Sequence, residues 1–338
     1  MLRAASLVLA AAISLWAEAS AAVASEPTPT EQLFMYLLNR ARHDPPGWAH
    51  EFGLDQVKGG DGQLTTLVGV APSVPLAVNG YLVTSARGHA QEMADHNYFG
   101  HQSQVDGRWP NKMARDAGYP LPQQIPAAMP GHYWLLPDDQ NEIEAIAAGY
   151  STPLDALNGL IVDQGTNPPG HRIQLLAIGE FQGYFREVGV GFGFNASSTY
   201  QDYWSIQTGL VNESDTFLTG VVFADANHNQ IYDLGEGLGG VTVMVDATPV
   251  ATNDAGGWAL QVGGGDHTVG CSGGGFAGTG GATVTVSGSN REVDCVSGFP
   301  GAYVDFAEVP EPSAPALAIA ALFGLSAVRA PAGRRRCA

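Results

Sequence analysis

"NGYLVTSARGHAQEMADHNYFGH", residues 79–101, decides the reading of the N-terminal half. Leu82, Ala86, His89, Ala90 and Met93 recur at helical spacing, so the stretch predicts a helix with one apolar stripe. His89 lies on that stripe and reads as a core histidine with its hydrogen bonds satisfied inside. His101 stands beyond the helix, after Tyr98, Phe99 and Gly100. A polar imidazole straight after an aromatic pair, in a chain with only nine histidines, asks for partners.

Working outward, Thr30 is placed to cap a helix through "EQLFMYLLNRARHD", which Pro45-Pro46 ends. Helical spacing also predicts a third helix over "NEIEAIAAGY", residues 141–150, and a fourth near "PLDALNGLIVDQG", residues 153–165. "REVGVGFGFN", 186–195, alternates valine and phenylalanine with glycine, as a strand in a tight sheet would. "DYWSIQTGLV", 202–211, reads as its neighbour. Residues 30–212 are therefore expected to form an α+β domain with helices packed on an antiparallel sheet.

From Phe217 the helical period disappears. Short apolar runs such as "FLTGVVFAD", "GVTVMVD", "GGWALQV", "DHTVGCS" and "GATVTVSG" alternate with glycine and Asn/Asp turns. Regular short strands with turn signals predict a second, all-β sandwich domain over 217–307, with "VNESD", 211–215, as a hinge.

The 33 acidic residues against 15 basic ones give a formal charge of −18, which argues against nucleic acid or anionic lipid as the main partner. Both ends read as addresses. Residues 1–21 have Arg3, an apolar run too short to span a membrane, and the small triplet Ala19-Ser20-Ala21, the layout of a secretory signal. Residues 309–338 hold Pro310-Glu311-Pro312, then an apolar stretch from Ala314 to Val328, then arginines. This tripartite tail resembles the PEP-CTERM sorting signal. The resemblance implies processing by exosortase-type machinery, transient inner-membrane contact through the tail, and a secreted protein at the surface or in the matrix of a Gram-negative bacterium. A plain C-terminal anchor is the alternative.

Cys271 and Cys295 fall in strand-like segments, and an oxidising compartment leaves a bridge between them open. "DANHNQIYDLGE", 225–236, places oxygen side chains at Asp225, Asn227, Asn229, Asp233 and Glu236, with the Ile231 carbonyl between them. Counted from Asp225, that spacing suits a seven-oxygen Ca²⁺ cage with the last carboxylate bidentate, although Gln230 stands where a glycine usually makes the sharp turn. The alternative is an Asx-rich turn holding no ion. The longer string "GVVFADANHNQIYDLGEGLGGVTVMV", 220–245, resembles the opening of B-repeat (Sdr-type) domains of bacterial surface adhesins, which implies a transthyretin-like sandwich with a structural calcium.

Downstream of His101 lie Glu142 and Glu144, then Asp163 in "LIVDQG", then His171 in "NPPGHR". Two imidazoles with carboxylates are the ligand types of a divalent metal site, and also the parts of an acid–base pair; spacing alone does not show that they meet. The ordered motifs "LLNRAR", "GHAQEMADHNYFGHQSQVDGR", "EIEAIAAGY", "LIVDQGTNPPGHR", "VGVGFGFN" and "YWSIQTG" resemble the CAP superfamily of SCP-like extracellular proteins. The resemblance implies an α–β–α sandwich and a cavity lined by two histidines and two acidic residues, which in some members binds Zn²⁺ or another divalent metal. Carried over residue by residue, it implies His101, Glu144 and His171, with Asp163 the nearest candidate for the fourth position and Glu142 a fallback. Residues 120–141, with His132 and Trp134, form a proline-rich insertion that would cover the cavity mouth.

Three functions stay open at this level. The cavity binds an envelope or matrix lipid, glycan or peptide; or it is a metal-dependent hydrolase with Glu144 as general base; or it is a relic in a structural matrix protein. No Gly-x-Ser-x-Gly or His-Glu-x-x-His signature supports hydrolysis independently.

Overall fold

The structure, a computed structural model, describes residues 24–278, 280–298 and 336–337. The signal segment and the Pro310–Pro312 motif lie outside these residues. Helix α1 (Pro29–His43) is opened by Thr28, not Thr30. The Thr28 hydroxyl accepts from the Glu31 amide while the Glu31 carboxylate accepts from the Thr28 amide, a reciprocal capping box. Pro45-Pro46 does end it, and also starts a short helix α2 (Pro45–Glu51), where a missing amide costs nothing.

Strand β1 (Ala77–Val78) leads into α3 (Gly80–His96), capped by the Asn79 side chain. Helix α4 (Pro110–Asp116) and a hairpin of β2 (Gln124–Pro126) and β3 (Tyr133–Leu135) follow. The expected third helix is instead strand β4 (Glu144–Ala148), buried along its whole length. Its run of small and branched residues offers apolar contact on both faces, so a central position between two helical layers overrides the helical spacing. Helices α5 (Pro153–Val162) and α6 (Gly170–Leu175) precede the long antiparallel pair β5 (Glu187–Phe194) and β6 (Asp202–Gly209).

The first sheet runs β1-β5-β6-β4, with the short β15 (Arg336–Cys337) on the β4 edge. Trp204 and Ile206 of β6 and Ala145 and Ala147 of β4 face α1 and α5, in one core with Phe34, Leu38, Leu157 and Leu160. The opposite face lies under α3. A Cβ on Gly189 would strike the backbone at Leu82 and Val83, and one on Gly191 the backbone at Ala86 and Arg87. The glycines of "VGVGFGF" thus bring α3 onto the strand itself, and the layers are helix, sheet, helix.

The second region is a sandwich. In one sheet β7 (Thr216–Phe223) pairs antiparallel with β10 (Gly257–Val262) and parallel with β13 (Arg291–Glu292) and β14 (Cys295–Val296). The other sheet runs β12-β11-β8-β9, from Gly280–Val286, Gly265–Ser272, Thr242–Val245 and Thr248–Ala251 respectively. Leu218, Val222, Val243, Trp258, Val269 and Val284 fill the space between. Cys271 of β11 and Cys295 of β14 are bridged across the two sheets, with Cα atoms 6.6 Å apart.

The two regions touch. Tyr36 of α1 meets Tyr232 edge-on with ring centroids 5.5 Å apart, and Asn290 donates to the carbonyls of Pro75 and Arg186. The segment 211–215 is a tight turn closed by Asp215 N to Asn212 O. No helix among the described residues is long and apolar enough to cross a membrane.

Candidate functional site: two carboxylate-held imidazoles

Glu144 opens β4 on the face beneath α3, directly across the ladder from Gln207. Its side chain is fully buried, and both oxygens are occupied. Oε1 accepts from His89 Nδ1 at 2.8 Å, Ser205 Oγ at 2.6 Å and Gln207 Nε2 at 3.2 Å; Oε2 accepts from His101 Nδ1 at 3.0 Å. An ionised carboxylate only accepts, so both imidazoles must carry their proton on Nδ1. Burial alone would push the Glu144 carboxyl up, but the neighbouring imidazoles and their hydrogen bonds outweigh it and hold the pKa far below the usual range. Burial likewise pulls His89 down, and the Glu144 charge and hydrogen bond overcome it, so the net shift is upward.

His171 has its own carboxylate. Asp163, wholly buried, caps the C-terminal end of α5 in the left-handed conformation, φ 53°. Its Oδ1 accepts from His171 Nδ1 at 2.7 Å, and its Oδ2 from the His171 amide at 3.0 Å. One carboxylate therefore fixes both the backbone and the ring. On the same helix, Gln174 Nε2 donates to Ile143 O and Thr208 Oγ1, tying α6 to the start of β4 beside Glu144.

The four residues implied by the resemblance thus fall into two acid–imidazole pairs, His101 with Glu144 and His171 with Asp163. The carboxylates orient rings. They do not present open oxygens. A depressed, saturated carboxylate suits neither a general base nor a direct metal ligand, so Glu144 is not placed for the base role considered above. Glu144 behind His101 and Asp163 behind His171 form the carboxylate–histidine pattern that fixes each ring's tautomer and raises its basicity at Nε2. Among the described residues, no group of three or more His, Cys, Asp or Glu is drawn together to hold an ion. Glu142, the fallback, donates its amide to Asn111 Oδ1, and burial raises its carboxyl pKa.

His89, read as a core residue, is buried as expected but also completes the Glu144 set; its Nε2 has no hydrogen-bond partner. Ser205 and Gln207 of β6 complete the set around Glu144, and the motif that contains them, "YWSIQTG", implies no role for either. The signal was there: polar residues alternating with Trp204 and Ile206 on a strand that is buried on both faces. In the insertion, Trp134 packs on Phe181 with centroids 5.5 Å apart, while His132 is exposed at the hairpin turn.

The 225–236 loop has no flanking helix. Asp225 accepts from the amides of Asn229 and Gln230, Glu236 from those of Ala226 and Asp233, and Asp233 Oδ2 from the side-chain amides of Asn227 and Asn229. Gln230 adopts φ 62°, so the sharp turn forms without glycine. His228 is exposed. The loop's carboxylates thus accept from its own amides, which closes it as an Asx-rich turn.

No protein-family model matches the chain, and no curated protein matches it. Among solved structures, part of the chain is similar to an extracellular protein containing an SCP domain from Bacillus anthracis. Identity is 22%, over 41% of this chain and 35% of that one, with a TM-score of 0.28, so the chain spans about a third of that protein. It is also similar to an outer surface protein from Borrelia burgdorferi, at 11% identity over 55% of this chain and 98% of that one, TM-score 0.31. A DUF3823 family protein from Bacteroides ovatus shares 17% identity over 25% of this chain and 44% of that one, TM-score 0.18. Overlaps this loose assign neither a family nor an activity.

Proposed function

We propose that this is a secreted, SCP-like surface or matrix protein. Its N-terminal domain binds an envelope or matrix lipid, glycan or peptide through the outer edges of His101 and His171, with or without a divalent metal between ligand and rings. The observation that supports it best is the pairing of each imidazole with a buried carboxylate at Nδ1, an arrangement that fixes the tautomer and keeps Nε2 as the acceptor nitrogen. A metal such as Zn²⁺, when bound there, would polarise an oxygen of the ligand. Glu144 and Asp163 would keep the rings in place. The β-sandwich is a spacer, stiffened by Ca²⁺ in the 225–236 loop and by the Cys271–Cys295 bridge. The tail would be read by exosortase-type machinery.

Binding is favoured over hydrolysis because Glu144 has no free oxygen. The test is calorimetric titration of the mature protein with Zn²⁺, followed by vesicle, glycan and peptide panels. The proposal expects saturable binding that His101→Ala and His171→Ala each abolish. Unaltered binding in both variants, or turnover of a substrate that Glu144→Gln stops, would overturn it.

A further inference from the structure

Glu92 lies on α3, one turn after His89, and its Oε1 accepts hydrogen bonds from two hydroxyls of the loop that follows the helix. Tyr98 Oη donates at 2.5 Å and Ser103 Oγ at 2.7 Å. His101 stands between these two donors in sequence. The loop is folded tightly about Ser103: its amide donates to Arg108 O at 2.9 Å, its carbonyl accepts from Gly107 N at 3.1 Å, and its Oγ accepts from Val105 N and Asp106 N, each at 3.1 Å. Asn97, in the left-handed conformation at φ 52°, turns the chain out of the helix. Tyr98 and Ser103 are both buried.

We infer that Glu92 is the positioning residue of the site: by gripping the loop on both sides of His101, it holds that imidazole against Glu144. A ring on a loop has many conformers, whereas Glu144 is fixed in a strand; the hydrogen bond between them needs the loop held from elsewhere. Glu92 supplies this from the rigid helix that also carries His89. Burial and Glu92 itself push the Tyr98 pKa well up, so its hydroxyl remains a donor across the whole useful pH range. This inference rests on the reading of His101 as a ligand-facing group only for its functional consequence; the geometric part stands alone.

The experiment compares the mature protein with Glu92→Leu, Glu92→Gln and the double variant Tyr98→Phe/Ser103→Ala. Long-range ¹H–¹⁵N spectra report the tautomer of each histidine, and Zn²⁺ titration reports affinity. Glu92→Leu is expected to lose the Nδ1–H signature of His101, leave that of His171 unmoved, and weaken Zn²⁺ binding about 10- to 100-fold. Glu92→Gln is expected to restore the signature, because an amide oxygen also accepts two hydroxyls. The double variant tests the same grip should Glu92→Leu fail to fold. An unchanged His101 signature in Glu92→Leu, or in the double variant where Glu92→Leu does not fold, would overturn the inference. Absence of Zn²⁺ binding in the wild type, with the signature still dependent on Glu92, would remove the metal from the proposed function and leave the positioning role of Glu92 standing.

Discussion

Glu144 and Ser205 share the closest contact in the buried polar cluster, 2.6 Å from Oγ to Oε1, although Ser205 faces Ile146 and not Glu144 in the strand ladder. The diagonal contact leaves the carboxylate free to reach both His89 and His101. Four donors therefore converge on one ion inside a helix–sheet interface.

Removing that ion leaves its donors buried without an acceptor. Glu144→Ala is expected to cost about 3–5 kcal/mol, because a buried charge pair broken on one side strands the other partner. Equilibrium urea unfolding measures it. A loss under about 1 kcal/mol, the net worth of an ordinary hydrogen bond, would show that the donors find other partners.

The same pair sets a pH dependence. Glu144 has its pKa depressed on folding, so its contribution is present above the ordinary carboxyl value of 4.5 and fades as pH falls further. His89 has its pKa raised, so its contribution is full below 6.5 and fades as pH rises through the higher folded value. Both views describe one ion pair, and its stabilisation is therefore greatest between about pH 4.5 and 6.5. In His89→Phe the decline on the alkaline side should disappear from a stability–pH profile, and an unaltered slope would reject the assignment.

Gly191→Ala tests the approach of α3. The new methyl group would meet the backbone at Ala86 and Arg87, which cannot swing aside as a side chain could. A loss on the order of 1–3 kcal/mol is expected from such overpacking. A melting temperature equal to wild type would mean that α3 shifts freely.

In the sandwich, opening the Cys271–Cys295 bridge, which spans 24 positions of sequence, should cost about 3 kcal/mol through released chain entropy. Separately, Ca²⁺ at about 100 times its dissociation constant should add about 2.7 kcal/mol to wild type and nothing to Asp225→Asn/Asp233→Asn. Thermal melts with Ca²⁺ and with chelator separate the two effects. Identical melts with and without Ca²⁺ would leave the loop as an Asx-rich turn.

Much of this architecture was legible in the residues. The α3 stripe, the β5–β6 pair and the strand rhythm after Phe217 all have the period of the element they form. The "EIEAIAA" stretch does not, because alanine and isoleucine at adjacent positions fit a helix as well as a strand buried on both faces. Only the neighbours β6 and α5 decide it. At the site, His101, Glu144, Asp163 and His171 could be named from motifs, but not their roles. Which nitrogen meets which oxygen depends on chain separations of 43 residues for one pair and 8 for the other. For Ser205 and Gln207 the alternation with Trp204 and Ile206 is legible, but a polar face on a strand ordinarily meets water, and only the cover of α3 turns it into a buried donor set.

The central claim is that Glu144 and Asp163 hold His101 and His171 by Nδ1 and leave both Nε2 edges to one ligand. Long-range ¹H–¹⁵N spectra of the histidines, recorded through a Zn²⁺ titration at neutral pH, test it most directly. The account predicts Nδ1–H tautomers for both rings before titration and a concerted shift of both Nε2 signals at one stoichiometric equivalent. A proton on Nε2 of either ring, or a shift confined to one of them, would contradict it.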